Sequence, residues 1–120
     1  MKFIVYRDTW LRGRTDSALH IQGQRCCLGF LGLACGYTDE EMDMSATPDD
    51  VCFLGNRWPK ALVSLMEDEE SAAFCDSHLC SQIMGENDGG GVTEAEREAR
   101  LTALFAKGGI EVEFRDGAGP

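Results

Sequence analysis

Apolar and polar residues alternate most regularly near the two ends of the chain, and each of these places predicts a β-strand. Residues 3–6 (Phe-Ile-Val-Tyr) are rich in β-branched and aromatic side chains. Residues 110–114 (Ile-Glu-Val-Glu-Phe) alternate with a period of two, which is the pattern of a strand with one buried face. We expect the two strands to pair as a small antiparallel sheet packed against several short helices, giving a single α+β domain over residues 1–120.

The longest apolar stretch predicts a buried helix. Residues 26–35 are apolar on every side, which is typical of a helix packed on several faces, and Gly36 is placed to end it. Gly29 and Gly32 each cost about 1 kcal/mol relative to alanine inside a helix. We therefore expect another backbone to approach the helix closely at these glycines. A short hairpin around Gly23 is expected to precede it.

Two capping boxes predict the first turns of further helices. Thr38 and Glu41 open a short acidic helix, and Thr93 and Glu96 open a longer one that ends at Gly108. Each box satisfies main-chain N–H groups that have no partner inside the helix. Two more helices are expected between these boxes, at residues 59–66 and 79–84.

The charge of the chain is unevenly distributed. Its 120 residues carry a formal net charge of −10, with balances of +3 over residues 1–36, −11 over residues 37–90 and −2 over residues 91–120. Because like charges repel, direct binding to nucleic-acid phosphates or to an anionic membrane is disfavoured. No apolar run approaches the ~18 residues that span a bilayer, and the apolar block at the N-terminus is too short for a signal peptide. We therefore expect a cytoplasmic protein.

The acidic middle of the chain is the first candidate site. Closely spaced carboxylates can resemble the charge density of DNA, and they would steer association with a protein that has a basic surface. The alternative is a solubilising surface without a fixed partner. The candidate partner-binding carboxylates are Asp39, Glu40, Glu41, Asp43, Asp49, Asp50, Glu67, Asp68, Glu69 and Glu70.

The six cysteines are the second candidate site. In a reducing compartment such residues are more often buried thiols than disulfides. Cys27 stands at the predicted start of a helix beside Arg25, where positive potential would lower the thiol pKa and favour a nucleophile. A tetrahedral zinc site is a further alternative, although the spacing matches no standard zinc motif, so we expect no cofactor. Its candidate ligands are Cys26, Cys27, Cys75, His78 and Cys80.

Several short stretches carry a resemblance to known proteins. Residues 10–13 read Trp-Leu-Arg-Gly and residues 26–29 read Cys-Cys-Leu-Gly; residues 87–88, 96–101 and 109–114 match at the other end. The protein resembles, at both ends and over about half of its length, a widespread group of small, largely uncharacterised proteins of bacteriophages and prophages. The resemblance implies a phage origin and an accessory role in the host cell, and it supplies no catalytic residues.

Together these observations lead to a hypothesis of a non-enzymatic binding protein. It would be a phage-type accessory factor that binds and inhibits or redirects a host protein complex, and its acidic surface would contact a basic partner. The sharpest version is an anti-CRISPR-like inhibitor of a nucleic-acid-binding defence effector. Two alternatives stay open: a thiol- or zinc-dependent enzyme or small-molecule binder centred on the cysteines, and a subunit that works only as a homo-oligomer.

Overall fold

The computed structural model describes residues 1–14, 18–46, 48, 51, 57–59, 62 and 78–119. The α+β class predicted from the sequence is confirmed. The helix predicted at residues 59–66 lies largely outside the described residues. Within them the elements are, in chain order, β1 (Lys2–Tyr6), a short 3-10 helix (Arg7–Thr9), α1 (Cys27–Ala34), α2 (Asp39–Met42), α3 (His78–Asp88), α4 (Glu94–Lys107) and β2 (Glu111–Arg115).

The two predicted strands do pair with each other, but the antiparallel prediction was wrong. β1 and β2 run parallel, with Lys2 opposite Glu111 and Tyr6 opposite Arg115. Parallel neighbours need a crossover of a dozen residues or more, and here the connection contains all of the helices. The alternation of apolar and polar residues is the same for both directions, so it could not decide between them.

The direction of β2 follows from the place where α4 begins. Glu98 in the first half of α4 accepts two hydrogen bonds from the Arg7 guanidinium, at 2.7 and 2.8 Å, so the helix starts beside the C-terminal end of β1. It then runs back along the sheet and turns at Gly109, whose φ is +73°. The N–H of Glu111 donates to the Met1 carbonyl at 2.9 Å. β2 thus begins where β1 begins.

The buried helix is present as α1, and the expectation about its glycines is confirmed at one of them. An alanine Cβ at Gly29 would overlap the carbonyl oxygen of Leu19 and lie 2.8 Å from its carbonyl carbon, so a backbone does approach there. At Gly32 the neighbours are side chains, with the Met42 Sδ at 2.5 Å from an added Cβ. Gly36 ends the helix with a φ of +100°.

The segment that touches Gly29 is the predicted hairpin. Ile21 and Gln24 exchange two main-chain hydrogen bonds of 2.9 Å across Gln22 and Gly23. Both turn residues have positive φ, 51° and 78°, as a type I′ turn requires. The hairpin is fixed to its surroundings by the bonds from the Leu19 N–H to the Ser45 carbonyl (2.8 Å) and from the Arg25 N–H to the Thr9 carbonyl (2.9 Å).

The helix caps also follow the prediction closely. Thr38 and Glu41 form a complete capping box at α2. Thr93 caps α4 by accepting from the Glu96 N–H at 3.1 Å, and its hydroxyl donates to the Glu96 carboxylate. α3 is longer than predicted, reaching from His78 to Asp88. Among the described residues no helix is both long and apolar enough to cross a bilayer.

Candidate functional site

The described part of the acidic block forms ion pairs within the chain. Asp39, at the start of α2, accepts two hydrogen bonds from the Arg25 guanidinium at 2.6 and 2.7 Å. These bonds are the main reason that the pKa of Asp39 is lowered from its usual value. The pair therefore stabilises the fold at neutral pH, and this contribution is lost as the pH falls through the lowered pKa. Because Asp39 is partly exposed, the contribution is below about 1 kcal/mol.

The other carboxylates around α2 differ in how far they are engaged. Asp43 lies 2.9 Å from the Nδ1 of His20. Glu41 belongs to the capping box and lies 3.7 Å from the Arg57 guanidinium. Glu40 is exposed and has no recorded side-chain contact among the described residues. The remaining predicted carboxylates, Asp49, Asp50, Glu67, Asp68, Glu69 and Glu70, lie outside the described residues.

The thiols at the start of α1 lie where the sequence placed them, but their environment does not favour a nucleophile. Cys26 and Cys27 are buried. Burial raises the pKa of the Cys26 thiol to about 12 and that of Cys27 well above its usual value. The Arg25 guanidinium is engaged by Asp39, not by a thiolate. The environment of Cys27 therefore favours the buried thiol over the alternative of a nucleophile with a lowered pKa, since desolvation outweighs the charge at the helix start.

The zinc alternative stays a prediction. Cys80 is buried in α3, with its thiol 4.0 Å from the Met84 sulfur. Cys75 and the side chain of His78 lie outside the described residues. Among the residues that are described, no three cysteine, histidine or acidic side chains form a group able to hold a metal ion.

Thiol chemistry provides a direct test of the buried environment. We expect alkylation of the native protein at pH 8 to modify Cys35, which is half-buried, well before Cys26 or Cys27. A thiol pKa raised from 9.0 to about 12 lowers the reactive thiolate fraction by about a thousandfold. Digestion and mass spectrometry after timed labelling would locate each modified thiol, with urea-unfolded protein as the control. Rapid modification of Cys27 in the native state would instead support the thiol-enzyme alternative.

Four of the stretches in which the sequence analysis expects a resemblance to phage proteins contribute residues to one buried hydrogen-bond network. The Asn87 side-chain oxygen accepts from the Trp10 indole N–H at 2.8 Å and from the Cys27 main-chain N–H at 3.1 Å. Its amide nitrogen donates to the Leu11 carbonyl at 3.0 Å. Asn87 is 1% exposed. It therefore links the end of α3, the loop after β1 and the start of α1, which is a structural role.

Arg97 of α4 completes this network. The guanidinium is buried, and its Nη1 donates to three main-chain carbonyls at the end of α3. Those carbonyls have no partners within the helix, and a cation is favourable at that end of the helix dipole. The acceptors, with their distances, are Glu86 (2.8 Å), Asn87 (2.9 Å) and Gly89 (2.6 Å).

The outer edge of β1 is a feature that the sequence did not predict as a site. The Glu111 N–H donates to the Met1 carbonyl. In a parallel ladder with this register, the main-chain N–H and C=O groups of residues 1, 3 and 5 face β2. The peptide groups of Lys2 and Ile4 therefore point away from β2. Neither has a hydrogen-bond partner within the described part of the chain. This edge can therefore accept a further strand.

A groove of about 480 Å³ lies between β1 and α1, and no residue of β2 lines it. Its described lining includes two cations, Lys2 and Arg25, and no carboxylate. Ala118 and Gly119 also line it, and Gly119 lies against the Tyr6 ring. Leu33 leaves 36% of its surface exposed there. The apolar wall consists of Phe3, Ile4 and Tyr6 from β1 and of Phe30, Leu33 and Ala34 from α1.

Sequence reasoning missed the groove because it assigned residues 30–34 to the core of a helix apolar on every side. The signal was a strand near the N-terminus with a single predicted neighbour, since a two-stranded sheet has two outer edges. Comparison with protein-family models, with curated proteins and with solved structures finds no match to this chain. The resemblance to phage proteins therefore stays a prediction.

Proposed function

We propose that this protein is a non-enzymatic binding protein that takes up an extended segment of a partner protein along β1. The observation that carries the proposal is the outward-facing peptide groups of Lys2 and Ile4 beside an apolar groove. Strand addition of this kind uses main-chain hydrogen bonds for affinity and side-chain pockets for specificity. The exposed side chain of Leu33 adds apolar surface that a bound segment would remove from water.

In its wider form the proposal retains the role expected from the sequence. The protein would be a phage-type accessory factor in the host cytoplasm that inhibits or redirects a host complex, such as a nucleic-acid-binding defence effector. A net charge of −10 supports a protein partner with a basic surface and disfavours direct contact with nucleic acid. The buried environment of Cys26 and Cys27 also supports binding over thiol catalysis.

The test is capture of a partner from a host lysate with variants of the β1 edge. Ile4→Pro removes the outward N–H of Ile4 without removing a ladder bond, because the ladder uses residues 3 and 5. Ile4→Thr keeps that N–H and the β-branched shape, so it is the matched control. We expect a partner that binds wild type and Ile4→Thr to be lost with Ile4→Pro. A partner that binds Ile4→Pro equally well would contradict strand addition.

A second pair of variants tests the groove without altering the backbone. Leu33 in the groove and Met44 outside it are both exposed apolar side chains, at 36% and 69%. We expect Leu33→Gln to weaken partner binding about tenfold, from lost apolar burial, and Met44→Gln to have little effect. Titration of the captured partner against the purified variants measures both. Equal effects of the two substitutions would place the binding surface elsewhere.

A further inference from the structure

We infer that the segment bound along β1 is basic at the end that reaches α2. This inference rests on the proposed function, and it adds the chemistry and orientation of the partner segment. It follows from the charges around the groove, which differ between its two ends.

The cations that line the groove are already matched by carboxylates of the chain. Lys2 lies 3.3 Å from the Glu113 carboxylate and 3.7 Å from that of Glu111. Arg25 is held by both oxygens of Asp39. An acidic segment would have to compete with these pairs, so the two cations do not make the groove an anion site.

One end of the groove adjoins an excess of negative charge. Arg25 lies near the Tyr6 end of β1, because its N–H donates to the Thr9 carbonyl at 2.9 Å. Asp39 at the start of α2 is bonded to Arg25, and three more carboxylates follow it within or directly after α2. In the described part of the chain these four carboxylates outnumber their arginine partners, Arg25 and Arg57. We call these carboxylates the α2 cluster; it consists of Asp39, Glu40, Glu41 and Asp43.

The other end of the groove is balanced. There the Met1 amino group and Lys2 offset Glu111 and Glu113. An extended segment would cover β1 from Lys2 to Tyr6, about 13 Å at roughly 3.3 Å per residue. Its apolar side chains would fill the groove, and the one or two residues beyond Tyr6 would lie near the α2 cluster. Basic side chains at that end therefore complement the surface, and the net charge of −10 adds a long-range attraction.

Synthetic peptides test the inference with the full chain. The probes are seven-residue acetylated and amidated peptides with the centre Ile-Thr-Ile-Thr-Ile and a Lys-Lys, Ser-Ser or Glu-Glu pair at either end. Isothermal titration calorimetry at low salt measures the affinity of each. We expect a Lys-Lys peptide to bind at least about tenfold more tightly than the Glu-Glu peptide that carries its pair at the same end. This difference is expected at one of the two ends, the end that lies near the α2 cluster. Because exposed charges are screened, the difference should shrink at 0.5 M salt, where the Debye length is only about 4 Å.

Two charge-reversal variants separate the α2 cluster from the general effect of net charge. Neither Glu40 nor Glu96 lines the groove. Glu40→Lys changes an exposed carboxylate of the cluster, and Glu96→Lys changes an exposed first-turn carboxylate of α4 outside the cluster. We expect the Lys-Lys peptide to lose about fivefold in affinity with Glu40→Lys and less than twofold with Glu96→Lys, since a nearby charge is worth about 1 kcal/mol in water.

The outcomes distinguish this inference from the function on which it rests. Equal affinity for Lys-Lys, Ser-Ser and Glu-Glu peptides, all lost with Ile4→Pro, would overturn the basic segment and leave strand addition intact. Equal losses in Glu40→Lys and Glu96→Lys would also overturn it. Peptides that bind Ile4→Pro as well as wild type would overturn strand addition. If no peptide binds at millimolar concentration, the basic segment is wrong, and the partner-capture experiment still decides the proposed function.

Discussion

Gly29→Ala is expected to destabilise the fold by about 3 kcal/mol or more, well above the ordinary cost of a surface substitution. An added Cβ would overlap the Leu19 carbonyl oxygen and lie 2.9 Å from the Arg25 Cβ. The atoms in the way are main-chain atoms of Leu19, whose N–H is itself bonded to the Ser45 carbonyl at 2.8 Å. The hairpin therefore cannot easily move away from α1. Equilibrium unfolding in urea measures the loss.

The matched control is another helical glycine. At Gly85 in α3 an added Cβ meets nothing within 4 Å, and its φ is not positive. Gly85→Ala should therefore raise stability by up to about 1 kcal/mol, through helix propensity alone. Gly32→Ala should fall between the two, because its nearest neighbour is the flexible Met42 side chain. If Gly29→Ala were as stable as wild type, the close approach of the hairpin to α1 would be wrong.

The second large effect is expected at Asn87. Asn87→Asp changes a single non-hydrogen atom, yet it replaces the donor to the Leu11 carbonyl by an acceptor and buries a charge. We expect a loss of about 3 kcal/mol at pH 7 from the unpaired carbonyl and the desolvated carboxylate. Urea unfolding of variant and wild type at several pH values measures the difference in free energy.

The pH dependence of that loss has a definite sign. Burial raises the pKa of the introduced carboxyl above its unfolded value near ~3.9. Below the unfolded pKa the carboxyl is protonated in both states and can donate to Leu11, so the deficit against wild type should shrink. The deficit in the free energy of unfolding should grow as the pH rises from the pKa of the unfolded state to the pKa of the folded state. Asn87→Ala lacks the titrating group, so its deficit should stay constant, and a constant deficit for Asn87→Asp would refute the buried network.

The local features of the fold could be predicted from the sequence because each depends on neighbouring residues. The capping box at Thr38 needs a partner three positions away, and it forms as expected. The turn at Gln22 and Gly23 depends on two adjacent residues. The close approach at Gly29 was also predictable, because a glycine inside a buried helix needs a compensating contact.

Features that depend on distant residues could not be predicted in this way. The direction of β2 follows from Arg7 and Glu98, which are separated by 91 positions. Asn87 comes after the helix predicted at residues 79–84. The residues next to it in the sequence do not indicate that it is the buried partner of Trp10, 77 positions away. Polar residues of this kind are informative only once the elements around them are placed.

In the candidate site, too, features set by neighbouring residues could be predicted and features set by distant residues could not. Carboxylates such as Asp39 and Asp43 were recognisable as an acidic group, yet their partners Arg25 and His20 belong to the preceding hairpin. The groove beside β1 depends on how many strands pair with β1. The pattern of apolar and polar residues within one strand does not predict that number. The burial of Cys26, Cys27 and Cys80 agrees with the expectation of buried thiols, and desolvation argues against the alternative of a reactive Cys27.

The pairing of β1 with β2 also has a consequence for biosynthesis. Lys2 leaves the ribosome before its partner Glu111, which follows about a hundred residues later. During translation β1 therefore has two unsatisfied edges, and the sheet can close only after nearly all of the described chain has been made. Such long-range contacts slow folding, because the entropy of closing the loop is lost before any contact is gained. Phe3 packs edge-to-face on Phe105 of α4. Until α4 has been made, Phe3 lacks this partner, and apolar surface exposed in this way favours association with other chains.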